Sequence, residues 1–197
     1  MKESFDFDKF EKVDKTISFV KANVYALFML IPTVLCFILY AYIWDLSMNP
    51  FDIFTSPDFS SQRFFIDSFF CLLFIVVLVV LHELTHGLVL GSFCKNKHKS
   101  IKYGIDQKTL SPYCHCGEIL TISQVRLGYA APLFTTGILP FLIALLIGYF
   151  PLMFAGITLI VGAGGDYTIM LIIATEKKNA FAEDHPSLVG CVVYRPK

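Results

Sequence analysis

The sequence predicts an all-α membrane protein, four transmembrane helices with a small cytoplasmic loop or hairpin between the second and third. Three observations predict it. The 197-residue chain is 55% hydrophobic and only 16% charged, more apolar than soluble domains usually are. Four segments are long and apolar enough to cross about 30 Å of hydrocarbon, which takes roughly 20 helical residues. All but one of the 16 Lys and Arg residues fall on the same side of a bilayer if the chain crosses it at those four places. The formal net charge is zero, so no global field argues for a nucleic-acid partner. A single integral membrane domain, residues 1–197, is expected, with the lipid bilayer as its surroundings.

The elements follow in order. Residues 1–21 read as a cytoplasmic interfacial segment, because Phe10, Val13, Ile17 and Val20 recur at helical spacing among charges. The first span is Ala22–Trp44. It follows a charged stretch and ends without a small-residue cleavage site, so it is not a signal peptide. The second span is Phe64–Gly91, the third Arg126–Phe150 and the fourth Leu152–Thr175. Pro32 in the first and Pro132 and Pro140 in the third are tolerable in membrane helices, where neighbours re-satisfy the freed backbone groups. Gly148 to Pro151 form the tight turn between the last two spans, and residues 176–197 form a cytoplasmic tail.

Orientation follows from the basic residues. Lys2, Lys9, Lys12, Lys15 and Lys21 precede the first span. Lys95, Lys97, Lys99, Lys102, Lys108 and Arg126 accompany the connection between the second and third, and Lys177, Lys178, Arg195 and Lys197 lie in the tail. The loop between the first two spans holds only Arg63, beside Asp45, Asp52 and Asp58. A multi-pass inner-membrane protein with both termini cytoplasmic is expected. Cys94, Cys114, Cys116 and Cys191 then lie on the reducing side, so no disulfide framework is expected.

The second span carries the chemistry. "VVLHELTHGLVLG", residues 79–91, sets His82, Glu83 and His86 within otherwise apolar sequence. Each charged residue at mid-membrane costs at least about 2.5 kcal/mol on insertion scales. Residues four apart share a helical face, so both imidazoles of this H-E-x-x-H pattern can address one ion, with Glu83 beside it as general base. A catalytic zinc takes three protein ligands and leaves one position for water. One Zn2+ is therefore the expected cofactor, although the same donors would also accept manganese or iron.

The third ligand is Asp166. Asp67, fifteen residues before His82, is about 22 Å away along its own helix. Under the inferred topology the second and fourth spans run in the same direction. His86 lies nine residues before Lys95 and Asp166 eleven before Lys177, about 14 and 17 Å from the cytoplasmic ends. Gly162, Gly164 and Gly165 permit close helix approach or local unwinding there.

Three cytoplasmic features remain. In "PYCHCGE", residues 112–118, Cys114 and Cys116 would share one face of a strand. They suit a packed hairpin or lid over the metal cavity, a second zinc site with His98, or a redox sensor. In "EDHPSLVG" Pro186 ends any helix, and Asp184 and His185 either fold back to the cavity mouth or form a simple turn. Residues 119–125 form an edge strand able to pair with an extended substrate, or a plain connection.

These motifs carry a resemblance. HELTHG at 82–87, PYCHCGE at 112–118, AAPL and GILP in the third span, AGGD at 163–166 and DHPSLVGCVVY at 184–194 resemble a bacterial membrane family of zincin peptidases, similar in layout to intramembrane site-2 zinc metalloproteases. The resemblance covers nearly everything after residue 64 and implies zinc-dependent peptide hydrolysis at a membrane-embedded site. Two features depart from the site-2 pattern. Tyr167, not glycine, follows Asp166, and the Asn-Pro element that usually precedes the aspartate is absent.

Two functions are thus expected to compete. One is a metallopeptidase with His82, His86 and Asp166 as ligands, Glu83 as base, and Cys114, Cys116 and His185 as accessory candidates, acting on a membrane-protein or peptide substrate. The other is a non-proteolytic membrane protein that binds metal for assembly or transport. Glu83 separates them, because a structural metal site needs no base.

Overall fold

The computed structural model describes residues 5–45, 60–107, 111–185 and 188–197. Lys2, Asp52, Asp58, Lys108 and Pro186 lie outside the described residues. In order, the elements are β1 (Phe10–Ile17), α1 (Phe19–Ala26), α2 (Leu30–Ile43), α3 (Ser61–Phe93), β2 (Ile101–Ile105), β3 (Pro112–Cys116), β4 (Leu120–Thr121), α4 (Ile122–Pro132), α5 (Leu139–Ile147), α6 (Phe150–Gly162), α7 (Gly164–Ile172), β5 (Phe181–Asp184) and β6 (Val189–Pro196).

Among the described residues four helical stretches are long and apolar enough to cross a membrane: Val20–Ile43, Ser61–Phe93, Ile122–Ile147 and Phe150–Ile172. Three of the four are not uniform helices. A 3₁₀ turn at Leu27–Met29 joins α1 to α2, and a π-helical stretch, Leu133–Ile138, joins α4 to α5. A break at Ala163 separates α6 from α7. Gly148 turns the chain from α5 into α6 in the left-handed conformation, φ 70°, and Trp44 packs on it while donating to the Leu145 carbonyl at 3.0 Å.

The chain is mixed α/β, which corrects the all-α expectation. Among the described residues six strands form two sheets, and the helices they lead into or follow place both at one end of the bundle. β1, β6, β5 and β4 lie in that order in one antiparallel sheet, and β2 and β3 form a separate hairpin. The N-terminal segment is therefore a strand and not an interfacial helix. Phe10, Val13 and Ile17 mimic helical spacing, but their register is fixed by a partner at the far end of the chain, with Val13 opposite Val193. The tail is likewise part of the fold. Cys191 and Val193 face one core with Ala182, while Val192 and Tyr194 face another with Ile119. A strand buried on both faces shows no alternation by which it could be recognised.

Glu176, at the end of the fourth span, ties the sheet to the helices. It accepts from Arg195 Nε and Nη2 at 2.9 and 2.8 Å and pairs with Lys15 at 3.1 Å. Arg126 at the start of the third span donates to the carbonyls of Ile173, Ala174 and Glu176, closing the C-terminus of α7. Arg195 and Lys15 hold the Glu176 carboxyl low, at about 2. Because the folded value lies below the ordinary one of 4.5, this stability is present above about pH 4.5 and is lost as the pH falls toward 2. Glu176→Gln in detergent should cost about 1.5–3 kcal/mol at neutral pH and little near pH 2, read as the shift in thermal midpoint. Equal destabilisation at both pH values would contradict this account of the cluster.

Candidate metal centre

The site is built on α3, a helix with its polarity turned inward. Leu78, His82, His86 and Leu90 recur every four residues on the buried side, while Phe65, Phe69, Leu72, Val76, Val80 and Leu88 face outward. An apolar exterior around a polar interior is the arrangement a bilayer demands. Ser60 caps the helix start, accepting from the Arg63 amide at 3.5 Å. Asp67 pairs with Arg63 at 3.7 Å near that same end, far from the histidines.

Asp166 reaches the histidines from the first turn of α7. The break at Ala163 lets α7 begin beside His82, and the helix dipole favours a carboxylate there. Asp166 Oδ2 lies 3.0 Å from His82 Nε2 and 3.3 Å from His86 Nε2. One donor atom from each residue lies within 4.8 Å of the others, the one such cluster among the described residues. Bonds of about 2.0–2.1 Å at tetrahedral angles would set ligand atoms about 3.3 Å apart, so this donor set fits a zinc ion. Two imidazoles and a carboxylate are also its chemistry.

Each imidazole is oriented from behind. His86 Nδ1 donates to the Gly128 carbonyl at 3.0 Å. His82 Nδ1 lies 3.2 Å from Thr136 Oγ1, whose own proton goes to the Pro132 carbonyl at 2.8 Å. With its proton engaged, that hydroxyl can only accept from Nδ1, so both Nε2 lone pairs are left to face Asp166 and an ion. The π-helical stretch holds Thr136, fully buried, at this place, and such bulges recur at functional sites. The sequence reading did not single out Thr136 or Gly128. The signal available was a Thr pair, Thr135 and Thr136, inside an otherwise apolar span.

Glu83 is half-buried beside His82. The β2–β3 hairpin and the 3₁₀ turn before it, Lys97–Ser100, pack on the adjoining turns of α3, with Tyr103 of the hairpin over Gly87 and the His98 ring of the turn against Gly91. Cys114 is half-buried, its thiol pushed up to about 12 by burial and by Glu83, Asp184 and Asp166 nearby. Cys116 is buried with its sulfur 3.4 Å from that of Cys94, and burial raises its thiol well above the ordinary range. Neither thiol belongs to a metal-binding group of three among the described residues. Just past the hairpin, buried Glu118 accepts from the Lys95 and Asn96 amides at 3.0 and 3.1 Å and from Ser100 Oγ, fixing the turn that leaves α3.

The tail contributes Asp184. Its Oδ1 accepts from Tyr129 Oη and its Oδ2 from the Cys116 amide, each at 2.8 Å, and the Tyr129 ring stands edge-on to His86, centroids 5.5 Å apart. Burial holds this carboxyl above the ordinary range although both donors pull it down. Asp184 thus links the hairpin, through Tyr129, to the ring of His86. His185 accepts from the Leu188 amide at 2.9 Å and is not part of the three-residue cluster.

Residues 75–181, just over half of the chain, match a family described as "Putative zincin peptidase". The chain belongs to that family. No curated protein and no solved structure matches it.

Proposed function

We propose that the chain is a membrane-embedded zinc metallopeptidase that hydrolyses a membrane or membrane-proximal protein substrate. The observation that carries the reading is the convergence of His82, His86 and Asp166 Oδ2 from two helices that sequence separates by eighty residues. These three residues would hold the ion, and Glu83 is the adjacent base. When bound, zinc supplies a Lewis acid that polarises a peptide carbonyl and acidifies water. Thr136 and the Gly128 carbonyl keep both imidazoles in the ligating tautomer. Glu83 accepts the proton of the attacking water and returns it to the departing amide nitrogen. The helices around the site keep bulk water from competing with these polar contacts.

The test is hydrolysis of a single-pass membrane peptide by zinc-loaded protein in lipid nanodiscs, with Glu83→Gln as the inactive control. Cleavage by that variant at the wild-type rate would contradict the mechanism. The distribution of Lys and Arg supports cytoplasmic termini and a site entered from the cytoplasmic side. Reporters fused after Lys197 and inserted near Lys99 should both read cytoplasmic, and one near Asp58 external. An external reading at Lys99 would overturn the orientation.

A further inference from the structure

Attack on a peptide bond places negative charge on its carbonyl oxygen, and removal of one donor aimed at such an oxygen typically slows an enzyme about 10²–10³-fold. Tyr103 is placed to be that donor. It sits on β2 with its phenol against α3, so close that a Cβ on Gly87 would collide with its oxygen. Gly87 lies four residues after Glu83, on the same face of the helix, with about 5–6 Å between such neighbours. Glu83, Gly87 and Gly91 form one stripe along α3. His98 fills the groove at Gly91 and Tyr103 fills it at Gly87. Glu83 is one turn further along that stripe, near enough for its charge to act on the phenol.

The hydroxyl is also uncommitted. Tyr129 donates to Asp184 and Tyr194 to Glu183, each at 2.8 Å, whereas the Tyr103 hydroxyl has no hydrogen-bond partner among the described residues. The residue is 49% exposed, so an incoming chain can reach it. Burial, Cys114 and Glu83 together hold the phenol above its ordinary range, which keeps its proton in place at neutral pH. Opposite it in the hairpin stands Cys114, also close to the site's carboxylates.

We propose that Tyr103 is a catalytic residue whose hydroxyl donates a hydrogen bond to the scissile carbonyl oxygen as that oxygen gains charge. The proposal rests on the metallopeptidase reading and names the group that shares the developing charge with the ion. No bond to hydrogen is broken in this step, and the proton remains on the phenol oxygen. The glycine of HELTHG acquires a purpose as well, since any side chain at Gly87 would expel the phenol.

Full-length protein loaded with Co2+ tests it, because cobalt absorption reports both metal binding and occupancy of the site. The probes are a tripeptide phosphonate, a tetrahedral anion resembling the attacked carbonyl, and azide, which carries no such oxygen. Tyr103→Phe should bind Co2+ and azide as the parent does, and should bind the phosphonate at least ten-fold more weakly. Gly87→Ala, which drives the phenol out without removing it, should weaken the phosphonate similarly. If wild type binds the phosphonate and Tyr103→Phe binds it equally well, Tyr103 is not the donor and the metallopeptidase reading stands. If wild type binds cobalt but not the phosphonate, or binds no cobalt, that reading falls and this proposal with it.

Discussion

Glu83→Gln protein is expected to bind one zinc per chain as tightly as the parent and to hydrolyse peptide bonds about 10²–10⁴-fold more slowly, the range for loss of a positioned general base. The separation of the two effects is the informative part. Gln keeps the size of Glu and leaves His82, His86 and Asp166 in place, so metal content should not change. It cannot accept the proton of an attacking water, so the chemical step should fail. Metal content by elemental analysis and cleavage of a membrane peptide in nanodiscs check both halves on one preparation. A variant that lost metal as well would make Glu83 part of the ligand set, and a variant of full activity would remove it from the mechanism.

The second large effect is on the ion itself. Asp166→Asn retains shape and removes the negative charge that faces both histidines at 3.0 and 3.3 Å. Zinc affinity should fall by at least ten-fold, the lower end of what loss even of an outer-shell partner produces. Asp67→Asn is the matched control. It removes the same charge from the far end of α3, where Asp67 faces Arg63, and should leave zinc affinity unchanged. Competition against a chromophoric chelator measures both. Equal affinity in the parent and Asp166→Asn would place the third ligand elsewhere.

Much of the site was legible because its logic is local or set by helix geometry. His82, Glu83 and His86 fall within five residues, and polar groups in an apolar span announce themselves by their cost. Asp166 followed from counting residues inward from basic helix ends, and the glycines before it mark the actual break between α6 and α7. The lengths of four apolar stretches gave the helices. The π-helical stretch was not legible, because Leu133–Ile138 differs from an ordinary helix only in its hydrogen bonding.

The sheets were hidden for another reason. β1 and β6 pair across nearly the whole chain, so neither segment carries its partner's signature nearby. In β1 the apolar spacing agreed by chance with a helix, and in β6 burial of both faces removed the alternation. Asp184 lay in a segment where a turn and a return to the cavity were both open. In the structure Asp184 bonds to Tyr129 and the Cys116 amide, and His185 accepts from the Leu188 amide. Thr136 and Tyr103 gain meaning only from what they face, His82 in one case and Gly87 in the other.

The central claim is that one ion is held by two imidazoles and one carboxylate, to the exclusion of the nearby cysteines. X-ray absorption at the zinc edge of the loaded, full-length protein tests it most directly. The expected spectrum has a first shell of nitrogen and oxygen only, at about 2.0–2.1 Å, with outer-shell imidazole scattering from two histidines. A sulfur shell at about 2.3 Å would contradict it, since that is the distance of a thiolate and would transfer the site to Cys114 or to the Cys94–Cys116 pair.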